Sequence, residues 1–178
     1  LSRDGRWPDD EKITDGIREE DFYGRGKGLQ SKVILERLER HLRSEIDVDF
    51  DSADLSIEHI LPQTMSKEWR ERLKDDGHDP EVVFSRYGHT LGNLTLTAFN
   101  SQLSNNLIER KQEIMANSEL RLNDPLKEVA QWGVSEMAER DTWIAGLAKQ
   151  IWSAPMPGIV TPYDGFDWSR IDASVNGI

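Results

Sequence analysis

The sequence predicts an α+β domain that is predominantly helical, and three observations support this fold class. Residues 55–60 and 94–97 alternate apolar with polar side chains, which is typical of short, half-buried strands. Apolar residues recur at helical spacing after Leu29 and again after Ser135, on either side of the two strands. The length of 178 residues suits one domain with a sizeable buried core.

The composition predicts a folded, cytoplasmic protein without a membrane segment. Apolar residues make up 37% of the chain and charged residues 31%. No stretch approaches the roughly 18 apolar residues of a membrane helix, and no signal peptide is visible. Because the chain has no cysteine, disulfides and thiolate-bound zinc are excluded. The first residue is Leu1 rather than Met, so we expect a C-terminal fragment of a longer protein.

The net charge of −11 is unfavourable for binding nucleic acid, which normally requires a basic surface. The acidity lies mainly in the flanks, because residues 59–116 contain 7 Lys and Arg against 8 Asp and Glu. We therefore expect this chain to bind DNA weakly by itself, with most of the affinity supplied by the rest of a longer protein.

The N-terminal part is predicted to contain one long helix. Residues 1–28 form a lead-in segment whose glycine-rich end, residues 24–28, is interpreted as a flexible joint. Residues 29–54 comprise a helix from Leu29 to about Glu45, with Ser31 in its cap region, and a linker with a surface turn at 47–51. The helix has an apolar face at helical spacing, formed by Ile34, Leu35, Leu38, Leu42 and Ile46.

Capping residues set the predicted bounds of the other helices. Ser66 starts a short helix to about Lys74, and Asp79 with Pro80 starts another to about Tyr87. Three more helices are predicted at about 104–115, 124–132 and 135–152, the last of them capped by Ser135. The tail, residues 154–178, is rich in turn-forming residues.

A carboxylate and an imidazole lie in the apolar setting of the first strand. Glu58 and His59 stand between Ile57 and Ile60, where neither is expected without a partner or a task. Neighbouring side chains of a strand point to opposite faces, so the two can serve one site only where the strand ends. Pro62 supplies that end, because it lacks the N–H that a strand ladder requires.

Asparagines stand before and after the second strand. Gly92 and Asn93 form a turn before it, and an asparagine-rich run, residues 100–106, leads from it into a helix. The order strand with Glu-His, loop with Asn, strand, helix with Asn resembles the ββα-metal finger of HNH (His-Me finger) nucleases. Residues 55–111, with LSIEHILPQ and LGNLTLT, are similar to the C-terminal nuclease domain of GmrSD-type restriction proteins. The resemblance implies a ββα-metal core at 55–116 with a helical insertion, C-terminal helices at 117–153, and a single domain over 1–178.

The resemblance also implies roles for the motif residues. His59 would be the general base, since imidazole titrates near neutral pH; the alternative is a buried structural histidine. Glu58 and Asn100 would hold a divalent cation, Mg²⁺ or Mn²⁺, by oxygen ligation, and Asn105 competes with Asn100 for that role. The alternative for Glu58 is a salt bridge to an arginine. Asn93 would orient the active loop, and its alternative is a turn residue.

Three residues are candidates for contact with the DNA phosphates. Lys111 is expected to lie exposed on the finger helix beside Arg110, where its charge could bind a phosphate. The alternative is that Lys111 is simply part of a solvated helix face. His89 and Asn105 lie near the motif, and His89 fits loop packing equally well. A zinc site formed by His59, His78 and His89 is disfavoured, because no compact ligand pair is present.

Taken with the resemblance, these features predict a metal-dependent DNA endonuclease that restricts foreign or phage DNA and nicks one strand per copy. A preceding N-terminal domain would sense DNA modification and hydrolyse nucleotide. Two alternatives stay open: a non-catalytic DNA-binding or interaction domain that keeps the finger as a scaffold, and an RNase. The sequence does not indicate the oligomeric state.

Overall fold

The computed structural model describes residues 8–43, 50 and 54–153, and it confirms a predominantly helical α+β fold. Two short 3₁₀ segments lie at Leu91–Asn93 and Arg121–Lys127. The helices and strands, in chain order, are α1 Asp10–Glu19, α2 Gly28–Leu42, β1 Ser56–His59, α3 Lys67–Asp75, α4 Pro80–Tyr87, β2 Leu94–Thr97, α5 Asn100–Leu103, α6 Ile108–Met115 and α7 Val134–Ile151. No helix in these ranges has the length and apolar character needed to span a membrane.

The two strands pair antiparallel, in a register that joins Ser56 to Thr97 and His59 to Leu94. Buried residues of β2, Leu94 and Leu96, pack in one apolar cluster with α2 and α7. Ile60 and Leu61, which follow β1, pack in a second cluster with α3 and α6. The end of β1 therefore lies where the chain passes from one core cluster to the other.

The caps of α3 and α4 confirm their predicted starts. The Ser66 hydroxyl accepts a hydrogen bond from the Trp69 amide, and the Asp79 carboxylate accepts from Glu81 and Val82 amides ahead of Pro80. These caps satisfy amides that the first helical turn cannot pair internally. Local side-chain chemistry was sufficient to place both helices.

Helix α1 was missed within the predicted lead-in segment. The Asp9 carboxylate caps it by accepting from the Lys12 amide at 2.8 Å. Its Ile17 is buried in the same apolar cluster as Ile144 and Ala148 of α7. The cap, the acidic first turn and the i, i+4 pair of isoleucines were local signals of this helix.

The glycine-rich run is a hydrogen-bonded turn rather than a flexible joint. The Asp21 carboxylate accepts from the amides of Tyr23 and Gly24, and the Lys27 ammonium donates to the Asp21 carbonyl at 2.6 Å. Ser31 lies inside α2, where its hydroxyl donates to the Phe22 carbonyl, so its predicted cap role is wrong. This turn brings Tyr23 to the end of β1.

The predicted helix bounds after β2 are also corrected. The finger helix begins at Ile108 rather than about 104, because Ser104 has a φ of 42° and separates α5 from α6. Residues 121–127 form a 3₁₀ segment in place of the predicted helix at 124–132. Glu136 accepts from the Gly133 amide at 2.9 Å at the start of α7, so Ser135 is not its cap. The surface turn predicted at 47–51 and the tail lie outside the described residues, apart from the buried Phe50.

Candidate active site

A polar cleft of about 310 Å³ opens where β1 ends. Glu58 and His59 both line it, which agrees with the expectation that adjacent side chains can share a site at a strand end. Asn100 and Asn105, which follow β2, also line it. The other lining residues are Tyr23, Ile57, Pro62, Gln63, Thr64 and Ser104.

Asn93 lies outside this cleft, fully buried, and ties the turn before β2 to the loop after β1. Its side-chain oxygen accepts from the Leu61 amide at 2.7 Å and from the Trp132 indole at 3.1 Å. Its side-chain nitrogen donates to the carbonyls of Leu61 and Gly88 at 3.0 and 2.9 Å. The Ile60 amide donates to the Asn93 carbonyl at 3.0 Å. These bonds fix the two residues that directly follow His59.

Helix α7 holds the turn that contains Asn93. The Asp141 carboxylate accepts from the Gly92 amide at 2.6 Å and from the Thr90 hydroxyl at 3.1 Å. The buried Arg140 guanidinium donates to the carbonyls of Leu91, Gly92 and Leu94. Burial raises the pKa of Asp141 to about 6 and lowers that of Arg140 to about 10. Position 92 requires glycine because the backbone passes close to α7, and a Cβ there would lie 2.5 Å from the Met137 carbonyl oxygen.

His59 is buried to 5% exposure and has different neighbours at its two ring nitrogens. Its Nε2 lies 3.1 Å from Nδ1 of His89, and its Nδ1 lies 3.5 Å from the Gln63 amide nitrogen in the cleft. The ring packs perpendicular to that of Tyr23, with centroids 4.5 Å apart. Burial, with added repulsion from His89 and Lys111, lowers the pKa of His59 to about 3. The imidazole is therefore neutral near pH 7, which is the form that can accept a proton.

Lys111 is buried, so the predicted exposed position on the finger helix is wrong. Its ammonium donates to the Glu58 carboxylate and, at 2.7 Å, to the His59 carbonyl. Burial raises the pKa of Glu58 and lowers that of Lys111, while their attraction opposes both shifts. Glu58 thus has a salt bridge, but to a lysine of α6 rather than to an arginine. The neighbouring Arg110 is exposed, as predicted, and pairs with Glu113.

The oxygen donors of the cleft are few but suit a hard cation. Within residues 8–43, 50 and 54–153, no group of three His, Cys, Asp or Glu side chains lies close enough together to hold a metal ion. Glu58 and Asn100 nevertheless line one cleft, and Asn100 is tethered to β1 through its amide nitrogen, which donates to the Ile57 carbonyl at 3.4 Å. Mg²⁺ commonly binds through one or two carboxylates, retained water and substrate phosphate, so this donor set fits it. The Lys111 ammonium beside Glu58 would weaken cation binding in the absence of substrate.

Asn105, His89 and His78 differ in their surroundings. Asn105 is exposed, and its side-chain oxygen accepts from the Ser104 hydroxyl at 3.0 Å. His89 is half-buried and contacts His59, whereas His78 is exposed in the turn after α3. Six lining residues were not predicted as site residues, and two of them, Tyr23 and Gln63, contact His59. Gln63 lies within the LSIEHILPQ motif, but Tyr23 reaches the site through a long-range contact that has no local signal.

Comparison with known proteins adds one match. The family described as GmrSD restriction endonucleases, C-terminal domain, matches residues 7–147. No curated protein and no solved structure matches the chain. The matched range includes α1, both strands and most of α7, and it contains every residue of the cleft. The chain therefore belongs to the family of GmrSD restriction endonuclease C-terminal domains.

Proposed function

We propose that this domain hydrolyses DNA phosphodiester bonds in the cleft at the end of β1, with His59 as the general base. Membership of a restriction endonuclease family supports a nuclease role with DNA as the substrate class. The observation that supports the site is the convergence of Glu58, His59 and Asn100 on one polar cleft. The strand, strand, helix order with these residues in place supports the assignment of a ββα-metal finger.

The proton transfer is assigned to the His59 ring nitrogen that faces the cleft. A water molecule in the cleft would lose a proton to Nδ1 while its oxygen attacks phosphorus and the 3′ oxygen leaves. Burial keeps His59 in the neutral form that can accept a proton, and Asn93 fixes the loop that follows it. A pKa of about 3 departs from the near-neutral titration expected from the sequence and makes His59 a weaker base than an ordinary imidazole. A divalent cation bound by Glu58 and the amide oxygen of Asn100 would stabilise charge on the phosphate and on the leaving oxygen.

We propose that Lys111 and Asn93 hold the residues of the site in position. The buried ammonium of Lys111 fixes both the Glu58 carboxylate and the carbonyl of His59. Asn93 has all its hydrogen bonds within the protein, so its role is to orient the loop rather than to move a proton. Asn105 is the more exposed amide and is proposed to contact a DNA phosphate. The N-terminal sensor expected from the resemblance would supply the remaining DNA affinity.

Conversion of supercoiled plasmid tests this function. Wild-type protein with Mg²⁺ or Mn²⁺ should produce nicked circles before linear DNA, and EDTA should stop the reaction. His59→Ala should lose at least about 100-fold in rate, as expected for removal of a general base. His78→Ala is the matched control, because His78 is exposed outside the cleft. Equal rates for wild type and His59→Ala would refute the assignment, and linear DNA without a nicked intermediate would refute nicking.

The same assay separates the two alternatives. A non-catalytic domain would shift plasmid mobility without changing its topology, with or without metal. An RNase would degrade a labelled RNA of matched sequence while leaving the plasmid intact.

A further inference from the structure

His89 is the residue that contacts the second ring nitrogen of His59. Its Nδ1 lies 3.1 Å from Nε2 of His59, which is hydrogen-bonding distance between two imidazole nitrogens. One of the two nitrogens must hold the proton of this bond and the other must accept it. The tautomer of His59 is therefore coupled to that of His89.

The cleft requires one of the two tautomers. Nδ1 of His59 faces Gln63, whose side chain is exposed and lines the cleft, whereas Nε2 faces His89 away from it. A nitrogen that takes a proton from water in the cleft must be unprotonated beforehand, so the ring proton has to lie on Nε2. His59 then donates to His89, and Nδ1 of His89 is the acceptor.

His89 is held in place by four neighbours. Its carbonyl accepts from the Phe22 amide at 2.9 Å, which joins it to the turn before α2. Its ring stacks on Tyr23 with centroids 5.7 Å apart and meets the edge of Phe84 at 5.3 Å. Asp21 of the same turn lies close enough to His89 for the two to interact electrostatically. The accepting nitrogen is thus fixed by helix α4 on one side and by the N-terminal turn on the other.

We propose that His89 is a positioning residue that keeps His59 in the Nε2–H tautomer, so that its Nδ1 is available as the base in the cleft. This inference rests on the proposed role of His59 as general base. It assigns the N-terminal turn, through Tyr23 and Phe22, a part in arranging the reacting histidine. It also differs from the earlier expectation that His89 contacts phosphate.

Two substitutions of His89 test its role as a hydrogen-bond acceptor separately from its role as an aromatic ring. His89→Phe keeps a ring between Tyr23 and Phe84 but removes the acceptor. His89→Asn removes the ring but places an amide oxygen at the same number of bonds from Cβ as Nδ1. If His89 positions His59, the Asn variant should retain activity and the Phe variant should lose it; if it only fills space, the order should reverse.

The deciding measurement is the ¹⁵N chemical shifts and proton couplings of the histidine rings in labelled protein without metal. We expect His59 to show a protonated Nε2 and an unprotonated Nδ1 in wild type and in His89→Asn, and a mixture of tautomers in His89→Phe. A proton on Nδ1 in wild type, or an unchanged tautomer in His89→Phe, would overturn the proposal.

The plasmid assay supplies the second readout. We expect kcat of His89→Phe to fall about 10- to 100-fold with little change in KM, which is typical of losing a partner that orients a functional histidine. Equal loss in both variants would also overturn the positioning role. If wild type fails to cut DNA under every metal condition, the proposed function fails instead, while the ring spectra still report whether His89 sets the tautomer.

Discussion

The turn around Asn93 and the cleft around His59 lie side by side but use their polar groups differently. In the turn, both atoms of the buried Asn93 amide are hydrogen-bonded within the protein, and Gly92 leaves no space for a methyl group. In the cleft, Gln63 and Asn105 are exposed, and Nδ1 of His59 has only the exposed Gln63 side chain as its polar neighbour, at 3.5 Å. The comparison indicates that support and chemistry are divided between neighbouring residues, so mutations should separate stability from activity.

The buried ion pair behind the cleft is expected to give the largest loss of stability. Lys111→Met should lower the free energy of unfolding by about 3 to 5 kcal/mol, because it leaves the Glu58 carboxylate buried without its partner. Urea unfolding monitored by tryptophan fluorescence measures this loss. Arg110→Met is the matched control, since the exposed pair with Glu113 should contribute less than about 1 kcal/mol. Similar losses in both variants would show that Lys111 is not buried against Glu58.

Alanine substitutions of Asn93 and Asn105 compare the contributions of the turn and the cleft to stability and DNA binding. Asn93→Ala should cost on the order of 3 kcal/mol, because it removes the partners of the Leu61 amide, two carbonyls and the Trp132 indole. Asn105→Ala should change stability by less than about 0.5 kcal/mol, because this side chain is exposed. Its effect should appear instead as weaker DNA binding. The division between support and chemistry would be wrong if Asn105→Ala destabilised the protein as much as Asn93→Ala.

Two glycines test the close packing of the turn against α7. Gly92→Ala should lower the free energy of unfolding by about 1 to 3 kcal/mol, because the new methyl would meet the Met137 carbonyl and the Asp141 carboxylate. Gly146→Ala, in the middle of α7, has no atom within 4 Å of the new methyl and should stabilise by about 0.5 to 1 kcal/mol. Thermal unfolding of the two variants should therefore move in opposite directions. A stabilised Gly92→Ala would contradict the contact.

The smallest of these stability effects concerns pH and distinguishes the cleft from the turn. Burial lowers the pKa of His59 to about 3, so the unfolded chain takes up its proton first and stability is lost as pH falls below about 6.5. Between pH 7 and pH 5.5, wild type should lose about 1 kcal/mol relative to His59→Gln, measured by urea unfolding in EDTA. A constant difference between the two proteins over this range would mean that His59 titrates normally.

Much of the fold can be predicted from local sequence signals, whereas the arrangement of the site depends on long-range contacts. Ser66, Asp79 and Pro80 start helices through side chains a few residues away, so the sequence predicts α3 and α4 closely. The strand pair and the turn at Asn93 were also predicted, because alternation and a Gly-Asn pair are local patterns. Helix α1 has comparable local signals in its Asp9 cap and acidic first turn.

The contacts that shape the cleft have no local pattern. Lys111 meets Glu58 across 53 positions of the sequence, and His59 meets His89 across 30. A lysine on a helix is usually exposed, so its burial could be known only from the pairing of α6 with β1. Tyr23 reaches the cleft because the glycine-rich run forms a turn held by Asp21, which its composition alone does not predict.

The most direct test of the division between support and chemistry is to measure plasmid cleavage and unfolding free energy on one preparation of His59→Gln. Glutamine keeps much of the volume and polarity of the imidazole but cannot act as the base. We predict a loss of at least about 100-fold in cleavage rate with a change in unfolding free energy below about 1 kcal/mol at pH 7. Cleavage at the wild-type rate, or loss of activity only in proportion to unfolding, would contradict the assignment of the chemistry to His59.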